Sequence, residues 1–346
     1  MLSRQNNTKY NKANRDFIFF VSFAFVLIVF AGFRPVGFDF DSQNYRDYIY
    51  YDYQMVEPTF LLIRYFAELF TNDLEVVTRI VFLIYALLNI IILSIAVNKF
   101  VRFNLMSLLI YAFTAYAMIT ITQIRFGVAV AFFLWAIYDL SKSNRKGFIL
   151  KILFATSFHY SLILALPLIF LSAVNLNRKF YIALPLVFAF SILFKDSLLA
   201  IMINNIQLFS DYLAMKLKAY ANSEINRTSS SFPLINFLSF LILFNYYIVL
   251  IKVKNINNPK FFIIVKVFGW GLAMYFLLSF ADVFSKRVLF TLATLLIVLI
   301  PFVIHYFKQK IFFLLLILIY VFLYFINVTV KHELLDYHLY IAQGFF

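Results

Sequence analysis

The chain has no cysteine among its 346 residues. This absence excludes disulfide bonds, thiolate metal ligands and a cysteine nucleophile, and it leaves the redox state of the compartment unreadable from sulfur. Glycine is also scarce, with only seven residues. The sequence therefore contains no glycine-rich loop of the kind that surrounds nucleotide phosphates.

Charge is equally sparse. Charged residues make up only 13% of the chain, whereas 64% of the residues are hydrophobic and 47 are phenylalanine. A helix needs about 20 apolar residues to cross the ~30 Å hydrocarbon core of a bilayer, and such stretches recur from Phe17 almost to the C-terminus. The composition predicts an all-α, polytopic integral membrane protein that forms a single domain over residues 1–346.

The apolar stretches predict about nine transmembrane helices and one re-entrant or broken hairpin. The first stretch follows a basic leader but lacks a small-residue cleavage site, so we interpret it as a retained span rather than a cleaved signal peptide. The predicted spans are 17–33, 76–97, 103–121, 126–140, 181–194, 232–251, 261–280, 288–306 and 311–330, and the predicted hairpin is 148–171.

The distribution of basic residues predicts the orientation in the membrane. With the N-terminus in the cytoplasm, the segments predicted to be cytoplasmic hold more than half of the 30 Lys and Arg residues, as the positive-inside rule requires. The net charge of +14 is thus explained by membrane orientation, and no nucleic-acid partner is implied.

The segment 148–171 is expected to enter and leave the membrane on the same side, because basic loops flank both of its ends. Non-helical backbone at membrane depth is tolerated only where it is buried in protein or lines a wet cavity. We therefore expect its turn, near residues 157–161, to face an outward-facing cavity, with His159 at the apex.

Arg125 and His159 are ionisable side chains set in apolar sequence, TQIRFGVAVAFFLWA and FATSFHYSLILALPL. A charge kept at membrane depth is costly and marks a functional site by default. Structural alternatives remain open for both residues. An arginine at the end of a span can extend to the headgroups, and a histidine in a bent helix can be held neutral by a backbone carbonyl.

Two of the predicted outer segments are long. The first, 34–75, holds half of the 16 acidic residues, and from Pro58 it has the apolar spacing of an interfacial helix. The second, 195–231, combines an amphipathic helix with a polar stretch. A loop of this kind is suited to act as a lid over an outward-facing cavity.

The order of several short motifs resembles the EpsG family of exopolysaccharide polymerases, which is related in architecture to the Wzy-type polymerases of O-antigen and capsule. The motifs are FRPVGFDFDSQNY, EPTF, QIRFGVAVAFFLWAI, SFHYSLILALPL and SKRVLFTL. The resemblance implies a glycosyltransferase of the bacterial inner (cytoplasmic) membrane with an outward-facing active site. It would transfer a growing glycan from an undecaprenyl-diphosphate carrier to a hydroxyl of another lipid-linked repeat unit. A flippase and a chain-length regulator of the same pathway are the implied partners.

Such a reaction calls for fixed cations against a lipid diphosphate, and the planar fork of arginine binds phosphate bidentately. Arg125 is the first candidate for this role, followed by Arg287 and Arg34. His159 is expected to act as general base on the acceptor hydroxyl or to donate a hydrogen bond to the diphosphate. Neither a metal nor a diffusible cofactor is required by this mechanism.

The first outer segment supplies the remaining candidate substrate ligands. Each of them has an alternative interpretation. Asp39 and Asp41 form an Asp-x-Asp pair whose spacing can hold a divalent cation, and Tyr45 can belong to an aromatic belt. Glu57 can simply begin a helix, where its negative charge interacts favourably with the helix dipole. These candidates are Asp39, Asp41, Tyr45 and Glu57.

Two other functions remain as alternatives. The acidic first loop is also a feature of GT-C type glycosyltransferases, which use a polyprenyl-phosphate sugar. Lys266 lies alone inside the predicted span 261–280, as a lipid-linked glycan flippase or a transporter requires of a charged pathway residue.

Overall fold

A computed structural model describes residues 2–39, 41–54, 56–102, 105–207, 247, 251, 256–278, 282–304, 315, 318 and 319. Every regular element in these ranges is helical, so the predicted all-α class is confirmed for the described part of the chain. The chain divides into two compact units, one formed by Met1–Ser172 with Thr294–Phe346 and the other by Ala173–Ala293.

The first unit contains seven α-helices in chain order within the described residues up to 172, together with one π-helix and one 3-10 helix. They are α1 (Leu2–Gly32), α2 (Ser42–Tyr50), α3 (Pro58–Glu68), α4 (Leu74–Phe100), α5 (Leu105–Thr114), the π-helix Ala117–Thr122, α6 (Ile124–Ser141), α7 (Arg145–Phe158) and the 3-10 helix Tyr160–Phe170.

The second unit contains α8 (Arg178–Ala189), the 3-10 helix Phe190–Phe194, α9 (Lys195–Gln207) and α10 (Pro259–Leu277), and α11 (Asp282–Val303) begins in it. Helix α8 packs against α10. The hydroxyl of Tyr247 donates a hydrogen bond to the carbonyl of Tyr181 over 2.6 Å. Lys266 on α10 is only 5% exposed, with its ammonium 5.9 Å from the ring of Tyr181.

Four helices in the described residues are long and apolar enough to cross a membrane: Asn14–Gly32, Leu74–Phe100, Ile124–Ser141 and Pro259–Leu277. They coincide with four of the predicted spans, and the protein is a multi-pass membrane protein. The total of nine spans stays a prediction, because 232–251 and 311–330 lie almost entirely outside the described residues.

Two predicted spans differ from the observed helices. The stretch 103–121 is α5 followed by the π-helix, and 181–194 is α8, which carries Pro185 inside it, followed by a 3-10 helix. In the outer segments, the predicted helix from Pro58 is α3. The segment 195–231 begins as α9, and its remainder from residue 208 lies outside the described residues.

Helix α4 forms the centre of the first unit, where it packs against α1, α3 and α6. Its buried face is apolar and aromatic, and Phe82, Ile90 and Val97 are each 0% exposed. The side chain of Asp73 caps the start of α4 by accepting a hydrogen bond from the backbone N–H of Glu75 over 2.9 Å, which satisfies one of the free donors of the first turn.

A tight turn brings α7 back along α6. Ser143 adopts φ 58°, and the side chain of Asn144 caps α7 by accepting from the N–H of Gly147 over 3.0 Å. Lys151 of α7 pairs with Asp139 of α6. The two helices pack against each other, so the end of α7 returns to the start of α6, and the rings of His159 and Phe126 meet edge-on at 5.3 Å.

Candidate functional site

Arg125 projects from the first turn of α6. The residue before this helix, Gln123, separates it from the π-helix and has φ −95° and ψ 62°. The guanidinium carbon lies 5.4 Å from the ring centre of Tyr45, 5.6 Å from that of Tyr48 and 5.8 Å from that of Phe60. A cation so close to three aromatic rings is held by their negative faces, and its side chain is 19% exposed.

A buried polar cluster lies under this turn. The hydroxyl of Tyr111 on α5 lies 3.0 Å from Oδ1 of Asn89 on α4 and 2.5 Å from the hydroxyl of Thr120 on the π-helix. π-Helical turns inside α-helices frequently occur at functional sites. These contacts join α4, α5 and the π-helix, which ends three residues before Arg125.

Gly127 allows α6 to pass close to the π-helix. A Cβ atom at this position would lie 1.9 Å from the carbonyl oxygen of Ile119 and 2.2 Å from Nδ2 of Asn89. Any larger residue must displace the first turn of α6, which carries Arg125. Close packing therefore explains why glycine occupies position 127, two residues after Arg125.

Glu57 connects the two residues that the sequence singles out. It precedes Pro58, the first residue of α3, but its side chain makes no capping hydrogen bond to that helix. Instead Oε2 accepts from Nη1 of Arg125, and Oε1 lies 2.9 Å from Nδ1 of His159. The carboxylate is only 6% exposed, so both of its oxygens are used inside the protein.

The pKa of Glu57 follows from these contacts. Burial by itself raises it, but the hydrogen bond from His159 and the positive charge of Arg125 outweigh burial, and the pKa lies below its ordinary value of 4.5. Glu57 is therefore ionised at neutral pH and balances the charge of Arg125.

His159 occupies the break between α7 and the 3-10 helix Tyr160–Phe170, with an extended backbone at φ −154° and ψ 116°. Its side chain is 16% exposed. The hydroxyl of Thr59 donates a hydrogen bond to the carbonyl of Ser157 over 2.7 Å. The start of α3 is thus tied to the end of α7 both at Glu57 and at Thr59.

Tyr45 lies against the same cluster from α2. Its ring contacts those of Phe60 and Phe82 at 6.0 and 6.3 Å, and the residue is 3% exposed. Burial raises the pKa of Tyr45 and the nearby charge of Arg125 offsets only part of this rise. The phenol therefore stays protonated and available as a hydrogen-bond donor.

Arg34 and Asp39 form a buried ion pair, with Nε of Arg34 2.8 Å from Oδ2 of Asp39 and both side chains 0% exposed. Nη1 of Arg34 also donates to the carbonyl of Ala31 over 2.6 Å, and the guanidinium lies 4.0 Å from the ring centre of Phe82. Oδ1 of Asp39 accepts from the backbone N–H of Ser42 over 3.0 Å at the start of α2. These two residues join the end of α1 to α2, the helix that carries Tyr45.

The carboxylate of Asp39 thus already has protein donors on both oxygens. Asp41 is the residue before α2 and makes no capping hydrogen bond with its side chain. Among the described residues, no group of three or more His, Asp or Glu side chains is placed to hold a metal ion.

Arg287, the second arginine candidate, lies on α11 in the unit 173–293. Its carbonyl accepts a hydrogen bond from the hydroxyl of Thr291 over 2.9 Å. Arg125, Glu57, His159 and Tyr45 all lie in the other unit, where the structure brings them together.

An apolar groove lies elsewhere in the first unit, between α1 and α4. Ile91 and Ile95 line it, roughly 80° to 120° around α4 from Tyr85, and none of Arg125, Glu57, His159 and Tyr45 is among its lining residues. The groove is therefore separate from the Arg125 cluster, and the outward-facing cavity stays a prediction.

Sequence reasoning missed Thr59, Phe60 and Tyr85 as parts of this site. The ring of Phe60 stacks on that of Tyr85 at 6.2 Å, and Tyr85 meets Phe158 edge-on at the same distance. In this chain, with 47 phenylalanines and 23 tyrosines, a single aromatic residue carries no signal of its own. The local clue was the motif EPTF, which places Thr59 and Phe60 directly after Glu57 and Pro58.

Comparison with protein-family models matches the EpsG family over residues 17–341, nearly the whole chain. No curated protein and no solved structure matches the chain.

Proposed function

The chain belongs to the EpsG family, and on that premise we propose that it is a polysaccharide polymerase working on lipid-linked repeat units at the outer face of the membrane. The carrier is an undecaprenyl diphosphate, and the product is an exopolysaccharide, capsule or O-antigen chain. The observation that carries the proposal is the contact of Arg125 with Glu57 and of Glu57 with His159.

The chemistry of this cluster fits glycosyl transfer from a lipid diphosphate. Arg125 binds the diphosphate and stabilises the negative charge that develops as it leaves, which is commonly the largest contribution to catalysis. His159 accepts the proton of the attacking hydroxyl. The hydroxyl oxygen bonds to the anomeric carbon of the donor sugar while the bond from that carbon to the diphosphate oxygen breaks. The electron pair of the broken bond leaves with the diphosphate.

The depth of the cluster supports a substrate whose reacting group lies at the membrane boundary. Tyr85, which stacks on Phe60, lies about three turns along α4 from Leu74. The first two turns of α4 carry Glu75 and Arg79, and the run without charged residues begins at Ile80, five residues before Tyr85. The cluster therefore lies near the outer end of this run, within reach of a lipid diphosphate at the headgroup level.

The charges of the first unit support an outward orientation. The ammonium groups of Lys99 and Lys142 both lie within 6.0 Å of the ring centre of Tyr138, near the end of α6. The Arg125 cluster lies at the start of α6, and the acidic residues Asp73 and Glu75 precede or begin α4. By the positive-inside rule, the lysine end is cytoplasmic.

The proposed sugar-binding residues lie beside Arg125 at the start of α2. Asp41 and Tyr45 border the cluster from α2, and we propose that they contact the sugars next to the diphosphate. Arg34 and Asp39 act indirectly, because their buried pair holds α2 in place. Arg287 is proposed as a second cation for the lipid-linked substrate.

A deletion strain tests the function directly. Its lipid-linked oligosaccharides are resolved by mass and its surface glycan by gel. We expect complete single repeat units at the outer face and no polymer ladder. Repeat units that lack one sugar would instead indicate a GT-C type transferase, and complete units trapped at the inner face would indicate a flippase.

A further inference from the structure

The carboxylate of Glu57 is placed between two functional side chains rather than toward a substrate. Glu57 immediately precedes α3 and its side chain makes no capping hydrogen bond to that helix. One oxygen accepts from Arg125 and the other lies 2.9 Å from Nδ1 of His159. Its two oxygens therefore contact two partners, one in the first turn of α6 and one directly after the end of α7.

The contact with Nδ1 has a consequence for the imidazole. A neutral histidine carries one proton, on either Nδ1 or Nε2. An ionised carboxylate accepts hydrogen bonds only, so the nitrogen beside Oε1 of Glu57 is the one that carries the proton. The lone pair that can accept a proton from another molecule is then on Nε2.

A second contact holds the same two segments in register. Thr59, two residues after Glu57, donates its hydrogen bond to the carbonyl of Ser157, two residues before His159, over 2.7 Å. Phe126, the residue after Arg125, also contacts the His159 ring edge-on, with the two ring centres 5.3 Å apart. The imidazole is thus oriented from α3 and from α6.

Charge balance favours the same arrangement during the reaction. Without bound substrate, Glu57 compensates Arg125. When a diphosphate occupies Arg125 and His159 has accepted a proton, the same carboxylate compensates the imidazolium. Each buried charge thus keeps a partner of opposite charge. An unpaired charge would be costly in a site of low dielectric.

We propose that Glu57 is a positioning residue that holds His159 as the Nδ1–H tautomer and directs Nε2 to the acceptor hydroxyl, an inference that rests on the polymerase function proposed above. In the transfer step the hydroxyl proton moves to Nε2, the oxygen bonds to the anomeric carbon, and the diphosphate leaves with the electron pair. Glu57 keeps its oxygen on Nδ1–H throughout and contacts neither substrate.

The tautomer can be measured without any substrate. The chain has only four histidines, so nitrogen-15 NMR of histidine-labelled protein in nanodiscs resolves few signals, and His159→Gln identifies the one that belongs to His159. We expect a protonated Nδ1 and an unprotonated Nε2 in the wild type at neutral pH. A protonated Nε2 in the wild type would overturn the proposal, whether or not any variant folds.

Variants test the role of the carboxylate. Glu57→Gln is expected to abolish the preference for the Nδ1–H form, and Glu68→Gln, a change in the same helix α3 where Glu68 pairs with Arg64, is expected to keep it. Glu57→Asp, which keeps the charge but shortens the side chain, should restore part of the preference. An unchanged His159 signal in Glu57→Gln would count against the proposal.

Kinetics separates positioning from substrate binding. With purified protein and lipid-linked repeat units, Glu57→Gln should lower kcat by about 10²-fold or more while the KM for the acceptor changes less than about twofold. A rise in KM with unchanged kcat would instead make Glu57 a substrate ligand. If the wild type shows the expected tautomer but forms no polymer, the proposed function fails; if it forms polymer and Glu57→Gln behaves like the wild type, only the present inference fails.

Discussion

The carboxylate of Glu57 has an energetic role besides the orientation of His159, because it compensates a largely buried arginine. Its side chain is 6% exposed and that of Arg125 is 19% exposed. Removing one partner of such a pair leaves the other charge uncompensated, which costs about 3 to 5 kcal/mol. We expect Glu57→Gln to lower the free energy of unfolding by this amount at pH 7, as measured by thermal unfolding in detergent.

The pH dependence of this loss follows from the lowered pKa of Glu57. A carboxylate whose folded pKa lies below its unfolded value stabilises the fold above that unfolded value, and the stabilisation is lost as the pH falls through the folded pKa. The difference between wild type and Glu57→Gln should therefore shrink as the pH falls below the ordinary value of 4.5. As a control, Glu68→Gln removes a more exposed pair with Arg64 and should cost less than about 1 kcal/mol. A difference that grows as the pH falls below 4.5 would contradict this account.

Arg125 and His159 should be individually required for polymer. A lysine at position 125 has a single ammonium in place of a planar fork, so Arg125→Lys is expected to lower the rate by about 10²-fold or more. His159→Ala removes the proposed proton acceptor, and loss of such a group typically costs about 10²- to 10⁴-fold in rate. Polymer length and amount are read from gels of complemented deletion strains.

Arg46→Lys provides a matched control, because Arg46 is 31% exposed and faces Glu75 and the ring of Tyr50. It should leave the polymer unchanged. Arg125→Lys, His159→Ala and Arg46→Lys must all be inserted into the membrane at wild-type levels. Normal polymer from both Arg125→Lys and His159→Ala would exclude this site.

At the scale of elements, the junction between the π-helix and α6 decides where Arg125 is presented. The stretch 103–140 is an almost continuous apolar run, and its sequence predicts two spans joined by a short connection. The connection is a π-helical turn that ends at Gln123. Its shape depends on contacts with Asn89 of α4 and Tyr111 of α5, so local sequence has little information about it.

Gly127→Ala tests this junction. The new Cβ would meet the backbone oxygen of Ile119 at 1.9 Å, and a backbone atom cannot move aside as a side-chain tip can. We expect destabilisation of about 1 to 3 kcal/mol together with a large loss of polymer, because the first turn of α6 must shift. Both are measured in purified protein and in complemented strains.

Gly271→Ala is the comparison. The three nearest atoms to its Cβ would all belong to the Leu292 side chain, with Cδ2 at 2.4 Å and Cγ at 3.1 Å, and a leucine can change rotamer. Polymer should therefore be close to normal in this variant. Equal effects of the two substitutions would show that close packing of α6 does not position the site.

At the scale of the whole molecule, the absence of cysteine makes orientation directly measurable. A cysteine introduced at Asn72, exposed between α3 and α4, should react with a membrane-impermeant maleimide in spheroplasts. A cysteine at Lys142, exposed in the turn between α6 and α7, should react only after permeabilisation. The reverse pattern would place the Arg125 cluster on the cytoplasmic side and remove the basis for an outer-face polymerase.

Much of this protein could be read from the sequence, because the relevant signals are local. A hydrophobic run long enough to cross a bilayer is recognisable by itself, and so is a charge such as Arg125 or His159 within it. The spacing from Pro58 likewise predicted the helix that is observed as α3. The family was indicated by short motifs in their order, and the family match over residues 17–341 confirms it.

Only the tertiary structure decided how these residues are used. The contact between Glu57 and Arg125 joins positions 68 residues apart, and that between Thr59 and Ser157 joins positions 98 apart. Likewise, nothing local distinguishes an aspartate that binds a sugar from Asp39, whose carboxylate is buried against Arg34. Such contacts arise when α2, α3, α6 and α7 pack around α4, and packing depends on the shapes of distant segments that no single stretch of sequence contains.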